Sequence, residues 1–235
     1  MKIDNIEDLG KVIYVKRRNA RRISIKIQPN NGVKVSIPFN LSYKIAERYI
    51  LENKTLLKNK LDELNSRIVL FDENSTFKTK WHKLSIEPQN SPYIEYALID
   101  HTLQISYPKA RSVYDPQIQD FIRRAIIETL RVEAKQYLPP RINEIAQNNN
   151  LKFNKLFIKN IKTQWGSCSY KNNINLNLHI MRLPEHLSDY VICHELSHTV
   201  HKNHGPKFWE LLSYIMEDDI TKYRKELRNY SPQLF

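Results

Sequence analysis

The five residues from His194 to His198 constrain this chain more than any others, because their spacing calls for a helix that can hold a metal ion. They read HELSH and match the HExxH pattern of zinc hydrolases. Residues four apart lie on one face of a helix, so the two histidines can bind one zinc ion. Glu195 follows the first histidine, where its carboxylate can reach a water on the metal. An exposed amphipathic helix would carry this pattern by chance in about one of a hundred such chains.

A compact zinc site needs a third ligand, and the chain offers His201 and His204. If the helix continued, His201 would lie about 10 Å along its axis from His194. Zinc holds its nitrogen ligands at about 2.1 Å, so a helical His201 cannot reach the same ion. His204 can reach it if the helix ends near residue 200 and the chain folds back, which the flanking asparagine and glycine favour. We therefore predict the metal ligands His194, His198 and His204, and expect His201 to contact a ligand or lie on the surface.

Two segments resemble signatures of the YgjP-like zinc metallopeptidases, a bacterial family also described as metal-dependent hydrolases. The first reads HELSHTVHKNHGPKFW and runs from His194 to Trp209. The second reads KTQWGSCS and runs from Lys162 to Ser169, with the strand-like INLNLHIMRLP after it. The opening KRRNARRISIKI and the later VSIP also resemble the family. The resemblance spans most of the chain and is weakest between residues 67 and 110.

The resemblance implies a set of site residues. His194, His198 and His204 match the family's metal ligands, and Glu195 matches its catalytic glutamate. The HGPKF stretch is also similar to SprT-like proteases, which act on proteins attached to DNA. The metzincin pattern has a glycine where this chain has His201, so the motif argues against a metzincin.

The predicted function is hydrolysis of peptide bonds in a peptide or protein substrate, with zinc as the cofactor. Three neutral imidazoles leave one position on zinc open for water, whose pKa the metal brings to about 7. Glu195 would take the proton of this water as a general base and pass it to the leaving amine.

Two other functions stay open at this stage. The same zinc and Glu195 could hydrolyse a non-peptide bond, such as a phosphoanhydride of a nucleoside triphosphate. The four glycines of the chain form no Gly-rich phosphate loop, which argues against this. The chain could also be a nucleic-acid-associated protein with a structural zinc ion. The presence of Glu195 argues against that, because a structural site needs no general base.

A side chain that stabilises the transition state is expected near the metal, and the sequence offers Tyr190, Tyr214, Tyr223 and Arg182. Tyrosines at helical spacing more often belong to the core or the surface. Asp218 or Asp219 is expected either to orient a ligand histidine or, preferably, to cap the last helix.

The composition of the chain indicates in which cellular compartment it is expected. The chain of 235 residues has no run of eighteen apolar residues, so we expect no membrane span. Its first ten residues lack the apolar stretch of a signal peptide, which favours the cytoplasm. Cys168 and Cys193 are too few for a disulfide framework and suit a reducing compartment. We expect both to be packed thiols and not zinc ligands.

Basic residues outnumber acidic ones, and the formal net charge is +12. This balance favours an anionic partner such as a nucleic acid or a nucleotide. Five cations lie within seven residues of each other near the N-terminus: Lys16, Arg17, Arg18, Arg21 and Arg22. They predict either a phosphate-binding surface or a charged strand edge that resists aggregation.

The patterns of apolar residues predict an α+β fold in two parts. Residues 1–110 form a β-rich region with one helix, which begins after Ser42 and ends near Ser66. The predicted strands are Val12–Val15, a hairpin of 23–27 and 33–37 with a turn at Pro29–Gly32, and short strands within 68–107.

Residues 111–235 are expected to form a zincin-like catalytic domain. A long helix begins after Asp115, breaks at Pro139–Pro140 and is followed by a shorter helix to Gln147. The remaining predicted elements are strands at 156–161 and 174–181 joined through the WGSCS stretch, a zinc helix from 185, and helices at 206–216 and 219–229.

The segment Ile174–Met181 is predicted to be the strand that forms one wall of the zincin cleft. It could bind an extended peptide through its main chain, or be an ordinary interior strand. Its isoleucines and leucines would face the core, which leaves Asn175, Asn177 and His179 toward the cleft.

Overall fold

A computed structural model describes residues 1–28, 32–66 and 69–234. The chain divides into two compact units, which span Met1–Val69 and Leu70–Leu234. The predicted division near residue 110 falls inside the second unit, because the strands before it pack with the helix after it. Within the described ranges, no helix is long and apolar enough to cross a membrane.

The first unit is built on a four-stranded sheet with the order β1-β2-β4-β3. Its strands are β1 (Lys2–Ile6), β2 (Gly10–Arg17), β3 (Ser24–Gln28) and β4 (Gly32–Pro38). β3 and β4 pair antiparallel, which confirms the predicted hairpin; most of its predicted turn, residues 29–31, lies outside the described residues. Alternating positions of β2 and β4 are buried, as expected for a sheet with one face on the core.

Two helices cover one face of this sheet where the sequence predicted one. Ser42 caps α1 (Tyr43–Glu52) as expected, since its side chain accepts from the backbone N–H of Ile45. The chain then breaks at Asn53 before α2 (Lys54–Ser66). The Asn53 amide donates to the Tyr49 carbonyl at 2.8 Å, so the side chain competes with the helix for its last acceptors. Ala46, Ile50 and Leu57 complete the core against the buried strand residues.

The second unit begins with a three-stranded sheet of order β5-β7-β6. Its strands are β5 (Lys83–Gln89), β6 (Glu95–Ile99) and β7 (Thr102–Pro108). The chain turns at Asp72–Ser75 before this sheet, and residues 90–94 connect β5 to β6. The predicted strand start at Ile68 lies outside the described residues.

One helix of 33 residues, α3 (Pro116–Asn148), passes both sheets of this unit and packs on a strand of each. The predicted break at Pro139–Pro140 is wrong, because the helix continues through both prolines. A proline removes one backbone hydrogen bond from a helix. Burial of Leu138 and Ile142 on either side of the pair supplies packing that offsets this loss.

The second sheet of this unit has the order β8-β10-β9. β8 is Leu156–Lys159, β9 is Gly166–Cys168 and β10 is Ile174–Asn177. The WGSCS stretch therefore supplies an edge strand, not a connection as predicted. The predicted strand 174–181 ends at Asn177, since Leu178–Arg182 forms a 3-10 helix. Three helices follow close to their predicted bounds: α4 (Glu185–Ser197), α5 (Pro206–Met216) and α6 (Ile220–Leu227).

Glu133 of α3 is fully buried and holds the segment before β5 to the helix. One carboxylate oxygen accepts from the hydroxyl of Thr79, from the backbone N–H of Trp81 at 3.2 Å and from His82 Nδ1 at 2.6 Å. The other accepts from the backbone N–H of Lys80 at 3.2 Å. A buried carboxylate is tolerated here because both of its oxygens have donors.

Replacement of Glu133 by Gln is expected to destabilise the protein by about 3 kcal/mol, because the new amide donor would face other donors. Urea unfolding measures this change. The matched control is Glu128→Gln on the same helix, whose side chain is 51% exposed and should change stability by less than about 0.5 kcal/mol. Equal losses in the two variants would contradict the role of Glu133.

Candidate metal centre

Helix α4 places His194 and Glu195 in the interior of the second unit. The helix is buried along most of its length, from Leu187 to Ser197. It ends at His198, which has helical backbone angles and donates its N–H to the His194 carbonyl at 3.3 Å. The two histidines therefore lie one turn apart on one face, as the HExxH spacing predicts.

The chain turns back directly after α4. The N–H groups of Thr199 and His201 bond to carbonyls of the last helical turn at 2.9 Å, which closes the helix. Gly205 then precedes Pro206, the first residue of α5, where proline needs no N–H partner. The turn brings His204 back over the end of α4, as predicted. Trp209 fixes it there, because its indole N–H donates to the His204 carbonyl at 3.0 Å and its ring stacks on the imidazole.

The three predicted ligand histidines converge. One ring nitrogen from each of His194, His198 and His204 lies within 4.8 Å of the other two. The Nε2 atoms of His194 and His204 are 3.0 Å apart. Two imidazoles that bind one tetrahedral zinc ion at about 2.1 Å have their nitrogens about 3.4 Å apart. The spacing therefore fits a shared metal ion.

His201 contributes its backbone and not its ring. The Nδ1 atom of His198 lies 3.0 Å from the His201 carbonyl, and a carbonyl can only accept, so Nδ1 carries the proton. That leaves Nε2 of His198 free to bind a metal. The His201 ring is outside the cluster of three, in agreement with the helix-rise argument against its ligation.

The ring of Phe208 packs against all three imidazoles. It is fully buried, and its ring centroid lies 4.9, 4.5 and 4.7 Å from those of His194, His198 and His204. This role of Phe208 was not predicted, although the residue stands in the HGPKF stretch four residues after the last histidine. That spacing places Phe208 in the first turn of α5, facing the cluster.

The electrostatics of the cluster favour neutral imidazoles. Burial, with smaller contributions from the other two histidines and Arg224, lowers the pKa of His194 to about 3. Burial also lowers the pKa of His198. A metal ligand must be unprotonated, so both rings are in the state that binds a cation. A donor set of three imidazole nitrogens suits a transition-metal cation such as zinc better than Mg²⁺ or Ca²⁺, which prefer oxygen ligands.

Glu195 lies beside this cluster in a cavity of about 280 Å³. Its side chain is nearly buried, and burial raises its pKa to about 8. Its Oε2 atom has no hydrogen-bond partner among the described residues. His194, Tyr190 and Gly166 line the same cavity. A carboxylate with an unused acceptor, next to converging imidazoles, is placed to bind water or a substrate N–H.

Comparison with known families agrees with this geometry. The family model of the YgjP-like metallopeptidase domain matches residues 21–230. The chain belongs to the YgjP-like metallopeptidase family.

Two solved structures are similar to part of this YgjP-like chain. One is the metallopeptidase zymogen jannalysin of Methanocaldococcus jannaschii, with 29% identity and a TM-score of 0.35 over 38% of this chain and 92% of that one. The other is the zymogen abylysin of Pyrococcus abyssi, with 18% identity and a TM-score of 0.36 over 38% and 90%. Comparison with curated proteins gives no match. The family assignment therefore comes from the sequence match.

Asn177 organises the loop that leads into the cavity of this YgjP-like protein. It is fully buried at the end of β10, and its amide donates to the carbonyls of Ile161, Gln164 and Pro232 at 2.6, 3.0 and 3.2 Å. Its side-chain oxygen accepts from the backbone N–H of His179. The prediction that Asn177 faces the cleft is wrong, because the buried carbonyls of the loop require an internal donor.

Of the four candidates for a transition-state donor, Tyr190 alone lines the cavity. The hydroxyl of Tyr223 donates to Asp218 at 2.8 Å, and Tyr214 is 75% exposed. Arg182 donates to the Ser231 carbonyl at 2.6 Å. These hydrogen bonds give Tyr223 and Arg182 structural roles.

The remaining sequence candidates have structural roles in the described chain. Asp219 caps α6 by accepting from the backbone N–H of Thr221, which confirms the preferred alternative. Both cysteines are free, and Cys193 is buried. Neither belongs to the cluster of possible metal ligands, as expected.

Gly166 is the residue on β9 that makes room for Glu195. A Cβ added at Gly166 would lie 2.7 Å from both Cγ and Oε1 of the Glu195 side chain. Such a contact is too short, so the carboxylate would have to move. The WGSCS stretch of this YgjP-like chain thus requires glycine because the Glu195 side chain packs against its backbone.

We expect Gly166→Ala to keep the bound metal and to lower peptidase activity about 100-fold, because a displacement of about 1 Å is enough for such a loss. Metal analysis and turnover of a peptide substrate measure the two effects. Gly205→Ala is the control, since a Cβ there would meet nothing within 4 Å. Full activity of the Gly166 variant would show that the close approach does not position Glu195.

Proposed function

We propose that this protein is a zinc-dependent peptidase with a zincin-type catalytic unit, in which His194, His198 and His204 bind the metal and Glu195 is the general base. The observation that carries the proposal is the convergence of three imidazole nitrogens beside a buried carboxylate with a free acceptor. A structural zinc site needs no such carboxylate, and its burial costs free energy. A catalytic role explains why it is there.

The chain supplies proton transfer at Glu195. When bound, zinc would polarise the substrate carbonyl and lower the pKa of a water molecule. Burial raises the pKa of Glu195 to about 8, which makes its carboxylate a stronger proton acceptor than that of an exposed glutamate and able to pass the accepted proton to a leaving amine. The Tyr190 side chain lines the cavity beside His194 and is the candidate to donate a hydrogen bond to the substrate.

We propose that β9, not the predicted strand at 174–181, binds the substrate backbone. β10 is the central strand of its sheet and pairs on both sides, so it offers no edge. On the side of β9 that faces β10, the backbone groups of Trp165 and Ser169 form hydrogen bonds. In an antiparallel ladder, successive residues direct their N–H and C=O groups alternately to one side of the strand and to the other. Gly166 and Cys168 therefore direct their N–H and C=O groups to the open edge of β9. An extended peptide can pair with such an edge next to Glu195.

A peptide substrate fits the cavity better than a nucleoside triphosphate does. Its lining residues are Gln164, Trp165, Gly166, Tyr190, Val191, His194, Glu195 and Leu227. They include neither lysine nor arginine, although the charge of Arg224, which lies over the Trp209 ring, acts on His194 and Tyr190. A triphosphate needs several cations or a backbone nest near its oxygens. We also propose a cytoplasmic location, which the two free thiols support.

Glu195→Gln is expected to retain zinc at the wild-type ratio and to lose activity by a factor of at least about 100, because general-base catalysis contributes that much. Zinc content and cleavage of casein measure the two properties, and nucleoside triphosphates are tested beside casein. Absence of zinc from metal-replete wild type would overturn the proposed cofactor. Turnover of triphosphates without proteolysis would replace the peptide substrate.

His204→Ala and His201→Ala separate the proposed ligand from its neighbour. We expect the first variant to lose most of its zinc, since two histidines cannot complete the site. The second should retain zinc, because only the backbone carbonyl of His201 is used. Dialysis against a zinc buffer followed by metal analysis compares them. Equal zinc loss in both variants would contradict the assignment of His204.

A further inference from the structure

The basic residues of the first unit are concentrated on the face of its sheet opposite the helices. Residues 1–69 contain fifteen basic and seven acidic side chains, a net charge of +8 out of the total of +12. The strand register places Ile13 of β2 beside Lys34 of β4, and Lys34 beside Lys26 of β3. We call this side the outer face; its cations are Lys11, Arg17, Lys26 and Lys34.

The outer face has no acidic side chain to balance these cations. Asp4 is the single acidic residue in the four strands of the first unit. It lies on the helix side, where it pairs with Lys2, which also pairs with Glu47 of α1. None of the four outer-face cations has an ion-pair partner among the described residues. By contrast, Lys54 and Lys58 on the helices both pair with Asp8.

Lys26 and Lys34 lie directly opposite each other in the antiparallel pair of β3 and β4. Like charges at opposed positions of a sheet repel each other and destabilise the pairing. Lys26 is exposed and Lys34 is partly buried, and a side chain of either sign or none would serve at both positions of a purely structural sheet. The repulsion is explained if an anionic ligand lies between the two ammonium groups.

Beyond Arg17, at the end of β2, a basic segment with an exposed aromatic ring lies on the helix side of the sheet, where Lys16 is also 5.2 Å from the ring centroid of Tyr43 in α1. A strand that crosses the outer face reaches this segment by passing over the end of β2. Phe39 is 54% exposed, and Lys16 and Arg18 lie 5.7 and 5.9 Å from its ring centroid. Arg21 and Arg22 follow in the same loop and are exposed. A flat ring among cations is the arrangement that single-stranded nucleic acids use, with the ring stacking on a base and the cations on phosphates.

We propose that the outer face, together with Phe39, binds single-stranded nucleic acid. The proposal concerns a surface of the first unit and does not depend on the metal site or on the proposed peptidase activity. The predicted phosphate-binding surface of Lys16, Arg17, Arg18, Arg21 and Arg22 is its edge. Lys11, Lys26 and Lys34 extend it across the sheet, which the sequence argument did not foresee because these residues are far apart in the chain.

A nucleic acid fits this surface better than an anionic membrane does. A membrane-binding element buries large apolar side chains among the headgroups. Of the apolar residues on the outer face, Ile3, Ile13 and Val15, Ile3 alone is exposed. Serines lie between the cations, at Ser24 and Ser36, and these can bond to phosphate oxygens. Four strands about 4.8 Å apart give a width of roughly 14 Å, enough for a single strand to cross several cations.

The test compares two variants of the full chain that lose the same charge. One replaces Lys11, Arg17, Lys26 and Lys34 by Gln, and the other replaces Lys109, Lys135, Lys152 and Lys171, which are exposed in the second unit. The probe is a fluorescent single-stranded 20-mer DNA, with fluorescence anisotropy read at several salt concentrations. We expect the first variant to bind at least tenfold more weakly than wild type. Its salt slope should fall by up to about 2.8, at about 0.7 per lost phosphate contact.

Phe39→Ala tests the stacking part of the proposal. It should weaken binding of the single strand several-fold and leave binding of a duplex of the same sequence unchanged. A duplex that binds as well as the single strand, with no effect of Phe39, would overturn the single-strand assignment. Equal binding by the two charge variants would overturn the whole proposal. So would binding to vesicles that contain phosphatidylserine without binding to DNA.

Stability gives an independent readout. Lys34→Gln removes the repulsion with Lys26, so it should raise the midpoint of urea unfolding while it lowers affinity for the 20-mer. A lysine kept only for the fold would show the opposite, a lower midpoint. Zinc content and casein cleavage are measured on the same preparations and are expected to stay at wild-type values. A failure of DNA binding would thus be distinguishable from a failure of the proposed peptidase.

Discussion

The reversal of the chain between His198 and His204 is the constraint on which the candidate site depends. A helix can place two imidazoles on one metal ion but not three, because each further turn moves the next side chain 5.4 Å along the axis. The third nitrogen must therefore come from a segment that folds back. The chain meets this need with a closed helix end, a proline that starts α5, and Phe208 packed under all three rings. These three features act together to bring the His204 ring to the other two imidazoles.

A second constraint acts on Glu195, whose carboxyl group has to stay buried and in one position. Burial comes from its place on α4, and the room for its carboxylate comes from the missing side chain of Gly166. β9 holds Gly166 in place through its pairing with β10, and Asn177 ties the preceding loop to the end of β10. The position of the carboxylate therefore depends on an edge strand of three residues and on one buried amide.

Much of the site could be predicted from the sequence because it rests on local rules. The spacing of His194 and His198, the helix rise that excludes His201, and Pro206 at a helix start all act within a few residues. The helix caps at Ser42 and Asp219 follow from the same kind of rule. Prediction from local rules failed where contacts with residues far away in the sequence determine the local structure. Pro139 stays helical because of tertiary packing, and β9 exists because β10 offers it an edge. The donors of Asn177 point to carbonyls up to 55 residues away.

The two units differ in the force that would bring a partner to them. The residues that line the cavity beside Glu195 include no lysine or arginine, so the proposed substrate would be recognised by main-chain pairing and by burial, which salt screens little. The outer face of the first unit is the reverse case, since its cations are exposed and unpaired among the described residues. Attraction there acts over about a Debye length, roughly 8 Å at physiological salt, and needs no particular peptide sequence. Under the two proposals, charge on the first unit would determine where the protein acts, and the buried site of the second unit would determine which bond it cleaves.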